Sequence, residues 1–312
     1  MFWSLFIFLF LFFPSPVSAA ENQTIPLFYQ LISAYKTPLS PSTTNVSPGQ
    51  VLGTQSSPLT SPVNPATAGP TAKPSPIYPA AAGPTKPKNI GGDGQIITIA
   101  VLGDSMIDSL GAGIPDLETS LSQYFPQKKF NIINYGVGAS DLEYALYRLR
   151  NNYRYLDTVH PSLLSLKPDI IVIESFAYNN FGNTQDGFDR QWLALGAITT
   201  EIKTNLPKTK IILASTIAPQ SSSFAVGSGT TYTAMEKIEK TKTIKLYQKN
   251  LINFATSQKF PLADAFTPSL NSKNEGLSQL INDKDHLHPS TLGSQFFCDT
   301  LAKTIFDQGL LD

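Results

Sequence analysis

The chain reads as an α/β domain in three layers, a parallel sheet between two layers of helices, and two observations predict it. Strand-like runs recur at residues 96–102, 129–134, 169–174, 210–215 and, more weakly, 260–263, and several of them are nearly continuous in Ile, Val and Leu. Such runs suit strands buried on both faces, as parallel strands are. The segments between them carry apolar residues at three- and four-residue steps, the spacing that gives a helix one apolar face. Strands alternating with helices lead to a doubly wound sheet with right-handed crossovers.

The first strand, 96–102, is Ile-Ile-Thr-Ile-Ala-Val-Leu and stops at Gly103-Asp104-Ser105. A helix over 115–124 follows, then the second strand, which runs into the glycine-rich turn Gly136-Val137-Gly138. The next helix is predicted over 142–155, where Leu142, Ala145, Leu146 and Leu149 share one face. The third strand, 169–174, ends at Glu174 and leads to Asn179. A helix over 188–205, a strand at 210–215, a helix over 232–257 and a weaker strand at 260–263 continue the alternation. The last helix, 291–308, follows Asp285-His286-Leu287-His288-Pro289 and opens on Ser290 or Thr291 as its cap. No segment repeats, so residues 96–312 form one domain with room for a large core.

The chemistry-bearing residues fall at strand ends, where open α/β sheets place their ligand sites. Ser105 offers a hydroxyl that becomes a nucleophile only with a base in reach; taken alone, Gly-Asp-Ser is also a common turn and helix cap. The chain has three histidines, His160, His286 and His288. His160 lies between two predicted elements, and a structural place at a helix entry is expected for it. Asp283 precedes His286 by three residues and Asp285 precedes His288 by three. Pro289 and the cap at 290–291 fix the chain around His288, which makes His288 the candidate base and Asp285 its orienting carboxylate. Donors for a developing oxyanion are available in the Ser105 N–H, in the N–H groups around Gly136 and Gly138, and in the Asn179 amide. Glu174 reads as a hydrogen-bonded buried acid that braces a loop, with an approach to the cleft as the alternative. Phe176, Tyr178 and Phe181 suit either an acyl or sugar pocket or the core.

These blocks, in this order, resemble the SGNH/GDSL hydrolase superfamily, in which four blocks supply Ser, Gly, Asn and His. Gly103-Asp104-Ser105-Met106 is similar to the first block, with Met for the usual Leu. Asn134-Tyr135-Gly136-Val137-Gly138-Ala139 resembles the second, with Ala139 where the family commonly places its oxyanion glycine. Ala177-Tyr178-Asn179-Asn180 is similar to the third, with Ala177 and Asn180 as departures, and Asp285-His286-Leu287-His288-Pro289 matches the last. The resemblance spans residues 96–312 and implies a flavodoxin-like sandwich with a five-stranded parallel sheet. It also implies metal-free, cofactor-free ester hydrolysis through an acyl-enzyme. Ser105 would attack, His288 would carry the proton and Asp285 would orient it, while Ser105, Gly138 or Ala139, and Asn179 would hold the oxyanion. An O-acyltransferase of the same fold and a non-catalytic carbohydrate-binding module are the competing readings. A nucleotide-binding fold is disfavoured, because no glycine-rich phosphate loop follows the first strand.

Upstream, the composition changes twice. Residues 1–13 are almost wholly apolar and are followed by small residues at Val17, Ala19 and Ala20. A helix of about twelve residues spans roughly 18 Å, short of a hydrocarbon core of about 30 Å. Residues 1–20 therefore read as a signal peptide, with an uncleaved membrane anchor as the alternative, and the protein is expected to be exported: secreted, or anchored at the outer face of a membrane. Residues 21–95 read as a Pro/Ser/Thr-rich disordered linker, since half of the chain's 24 prolines fall in residues 36–94. Such a linker suits a tether to a membrane or wall. Asn22 and Asn45 head glycosylation sequons. With 23 basic and 23 acidic residues the chain shows no basic face for nucleic acid; the resemblance implies a small-molecule or polysaccharide ester as the partner. Cys298, alone in the sequence, falls in the apolar stripe of Phe296, Phe297 and Leu301 and is expected in the core.

Overall fold

The computed structural model describes residues 96–312; the expected leader (1–20) and linker (21–95) lie outside the described residues. Five strands form one parallel sheet: β1 (Ile96–Gly103), β2 (Lys129–Gly136), β5 (Ile170–Glu174), β6 (Lys210–Ser215) and β7 (Leu262–Asp264). Their order across the sheet is β2-β1-β5-β6-β7. The chain leaves β1 toward one edge and returns to its other side as β5, so the topological switch falls at the carboxyl end of β1. Ser105 stands there.

The two-residue alternation of the strands divides the core. Ile97, Ile99, Val101, Ile170, Val172 and Ile212 face one side and pack with α2 (Pro115–Tyr124) and α7 (Thr291–Asp307). Ala100, Leu102, Ile171, Ile173, Ile211 and Leu213 face the other and pack with α3 (Leu142–Arg150), α5 (Gln185–Asn205) and α6 (Ala234–Gln258). The predicted three-layer α/β sandwich with a five-stranded parallel sheet is the observed fold. Cys298 is fully buried in the first of these cores. Helix ends follow capping chemistry: Thr184 caps α5, Ser290 caps α7, and Thr233 with Glu236 forms a reciprocal capping box on α6.

One predicted element differs. The helix expected over 142–155 stops at Arg150, and the chain continues into an antiparallel hairpin, β3 (Tyr153–Tyr155) with β4 (Thr158–His160). The turn between them places Leu156 (φ 45°) and Asp157 (φ 61°) both in the left-handed region. That is the backbone a two-residue hairpin turn requires, and Leu-Asp is not a pair that announces it. His160 consequently lies on β4, stacked on Tyr153 at 4.9 Å, rather than at a helix entry; the short α4 (Leu163–Leu166) begins later.

Candidate active site

Asp104 is the N-cap of α1 (Ser105–Asp108), its Oδ1 accepting the Met106 N–H at 2.8 Å. The turn and the site are thus the same object: the cap residue sets the chain reversal that lifts Ser105 to the sheet edge. Gly103 is required here, because a Cβ on it would stand 2.2 Å from Ile107 Cγ1. Gly136, level with Gly103 on β2, is held the same way, since its Cβ would meet the Asp108 nitrogen at 2.2 Å. Asn134 ties the two strand ends together. Its amide donates to the carbonyls of Ile107 and Gly111, both at 2.8 Å, and its Oδ1 accepts the Gly136 N–H.

Asn179 is brought to this point by the single turn Ala177–Asn179 that follows β5. Its Nδ2 donates to Asp104 Oδ2 at 3.0 Å, which fixes the amide's orientation and leaves its second N–H unused by that bond. Asp104 therefore has a second role that its sequence position did not reveal. Burial raises the Asp104 carboxyl above its ordinary range, opposed by the bonds from Met106 and Asn179 and by the charges of His288 and Arg148.

Glu174 lies beneath this cluster, fully buried. It accepts the Phe176 N–H at 2.9 Å, the Ser175 hydroxyl at 2.5 Å and the Asp104 N–H at 3.4 Å. Burial first, and the Asp104 charge second, push its carboxyl well above the usual carboxylate range. It is the brace that the sequence suggested.

The terminal histidines separate cleanly. Asp285 Oδ2 meets His288 Nδ1 at 2.9 Å, while Asp285 Oδ1 accepts the N–H groups of Leu287 and His288 at 2.9 and 3.1 Å. Burial works against ionisation of Asp285, yet these bonds and the His288 charge hold its carboxyl below the ordinary value. With Nδ1 facing a carboxylate, the imidazole proton sits on Nδ1 and Nε2 is left as the acceptor. The loop is closed by the Asn282 N–H on the His288 carbonyl at 2.8 Å and by the Ile281–Pro289 bridge. His286 points elsewhere. Its φ is 51°, its Nδ1 lies 3.0 Å from the Val226 carbonyl, and its own carbonyl accepts the Ala225 N–H. It pins the 223–228 loop to the 282–288 loop.

At the second block, the Gly138 N–H is occupied by the Tyr155 hydroxyl at 3.1 Å, and that hydroxyl donates to Asp108 Oδ2 at 2.7 Å. Ala139 is exposed, has φ 55°, and its N–H makes no hydrogen bond among the described residues. The left-handed backbone that favours glycine therefore falls at Ala139, at some cost in strain. Sequence reasoning missed Tyr155 and Arg148. Arg148 is completely buried, donating to the carbonyls of Tyr135 (2.6 Å) and Gly103 (3.0 Å) and to the Ser140 hydroxyl (3.2 Å), with the Tyr144 and Tyr153 rings over its guanidinium. Its signal was a charge on the apolar face of α3, three residues beyond Ala145. Phe176 is core, Phe181 is half-buried under Arg190 at 4.2 Å, and Tyr178 lines a cavity. Among the described residues no group of three or more His, Cys, Asp or Glu is placed to hold a metal ion.

A parallel α/β sandwich carrying serine, glycine-turn, asparagine and Asp-x-x-His blocks at successive strand ends defines an acyl-transfer hydrolase. The profile of the GDSL-like lipase/acylhydrolase family matches residues 101–296, and the chain belongs to that family of ester-bond hydrolases. No curated protein sequence matches the chain. Among solved structures it is similar to a lipase/acylhydrolase from Enterococcus faecalis, at 18% identity and TM-score 0.47, covering 68% of this chain and 96% of that one. A GDSL-like lipase from Bacteroides thetaiotaomicron matches at 16% and 0.45, covering 69% and 87%. An acetylxylan esterase from Geobacillus stearothermophilus matches at 16% and 0.47, covering 69% and 95%.

Proposed function

We propose that the protein is an exported serine esterase that removes small acyl groups, acetyl foremost, from a cell-envelope or extracellular polysaccharide. The observation that carries the catalytic part is the Asp285–His288 contact of 2.9 Å, in a loop closed by its own hydrogen bonds. In this reading Ser105 Oγ attacks the ester carbonyl carbon while His288 Nε2 takes its proton. Asp285 holds the tautomer and stabilises the imidazolium. The tetrahedral oxyanion is received by the N–H of Ser105, the N–H of Ala139 and the remaining N–H of Asn179. Gly138 supports that hole through Tyr155 rather than donating to it. Collapse expels the alcohol, which takes the proton from His288, and water then repeats the sequence on the acyl-enzyme.

Export and the tether rest on residues 1–20 and 21–95, read from composition. The test is hydrolysis of p-nitrophenyl acetate by the purified chain beside Ser105→Ala and His288→Ala. Turnover by the parent and loss in both variants is expected; full activity in Ser105→Ala would remove the proposal.

A further inference from the structure

We infer that the alcohol half of the substrate is a pyranose ring, and that it is held in a cavity of about 550 Å³ beside Asn179; this rests on the esterase reading above. The cavity lining includes Asn179, the candidate oxyanion residue, and Leu287 of the Asp285–His288 loop. Its size lies within the usual range for small-ligand sites.

Three rings build one wall. Tyr178 lies 6.5 Å from Phe224 with planes 27° apart, and Phe224 lies 6.2 Å from Tyr232 at 30°. The wall starts at Tyr178, the residue before Asn179. Flat apolar ring faces suit the C–H face of a sugar.

The rest of the lining mixes apolar and polar residues, and part of the polar set is unspent. Among the described residues, the Tyr232 hydroxyl, the Asn183 amide and the Glu239 carboxylate make no side-chain hydrogen bond, although Asn180 beside them is fully engaged with Ala177 and Gly182. Lys240, over the Tyr232 ring at 4.8 Å, carries a charge opposite to that of Glu239, while the third charged group, Glu236, spends its carboxylate on the Thr233 N–H and hydroxyl at the cap of α6. A long acyl chain laid here would strip water from these groups and leave them unpaired, whereas ring hydroxyls would satisfy them. A neutral, polyhydroxylated ligand with an apolar face matches both halves of the cavity.

The test uses the full chain and the four mono-O-acetylated methyl glucopyranosides, with p-nitrophenyl acetate and p-nitrophenyl octanoate alongside. Tyr232→Ala and Asn183→Ala remove polar groups that make no hydrogen bond among the described residues; because Tyr232→Ala also removes a ring packed on Phe224 and under Lys240, a thermal melt accompanies the kinetics. Together the two substitutions are expected to lower kcat/KM on the preferred glucoside ester by about tenfold and to leave p-nitrophenyl acetate within about twofold. An unchanged glucoside-to-aryl ratio, or a loss confined to the octanoate, overturns the pyranose site while the esterase stands. If the parent chain turns over none of these esters, the esterase reading fails and the subsite falls with it.

Discussion

Replacing Asp285 by Asn changes one contact and leaves its surroundings in place. The amide oxygen can keep both backbone N–H groups that Oδ1 now accepts, from Leu287 and His288, so the loop retains its shape. The amide nitrogen then stands where Oδ2 lies, 2.9 Å from His288 Nδ1. A donor facing Nδ1 forces the ring proton onto Nε2, the atom that must receive the Ser105 proton. The same substitution in a serine triad costs about four orders of magnitude in kcat, or roughly 5.5 kcal/mol at about 1.4 kcal/mol per factor of ten. Stability should move by no more than about 1 kcal/mol, because both side chains of the pair are 25% exposed. The assay is kcat and KM for p-nitrophenyl acetate at pH 7.5, with a thermal melt as control. Activity within tenfold of the parent, with an unchanged melt, would refute the assignment of Asp285.

Three further outcomes follow from the same geometry. His286→Ala should retain most of its activity and lose its anchor on Val226, detected as faster proteolysis of the 223–228 loop, whereas His288→Ala should be inactive on aryl esters. Tyr155→Phe removes the hydroxyl that joins Gly138 to Asp108; kcat should fall by up to about tenfold with KM unchanged, at a stability cost of about 1 kcal/mol. For Glu174→Gln the effect is on pH dependence. A carboxyl raised by folding binds its proton more tightly in the folded state, so parent stability falls as pH rises above its ordinary value of 4.5. The amide can keep the bonds to Phe176 and Ser175 but has no charge to desolvate, so denaturant melts should show the variant gaining on the parent toward pH 8 and the two converging below that value.

The sheet was legible because its central strands β1, β5 and β6 are buried on both faces, so their composition alone marks them, and alternating residues such as Ile99 and Ala100 then face opposite sides. Ser105, Asn179 and His288 were legible for another reason: each stands just outside an apolar run or just before a cap. The β3–β4 hairpin was not, because its turn uses Leu156 and Asp157 in left-handed backbone with no glycine to mark it. Tyr155 was hidden with it. The choice between Gly138 and Ala139 depends on which N–H a distant phenol already occupies, and no local pattern encodes that. The choice between His286 and His288 depends likewise on Val226, 60 residues away from His286 in sequence. Local chemistry marks candidates, and tertiary hydrogen bonds such as those of Tyr155 and Val226 give grounds for proposing one over another.

The central claim is that Ser105 is the activated nucleophile. Treating the purified chain with a fluorophosphonate, followed by intact mass and peptide mapping, tests it most directly. One phosphonyl group per chain on Ser105 is expected, with no labelling of Ser105→Ala and greatly slowed labelling of His288→Ala. Labelling at another serine, or ester turnover that survives in an unlabelled enzyme, would contradict it.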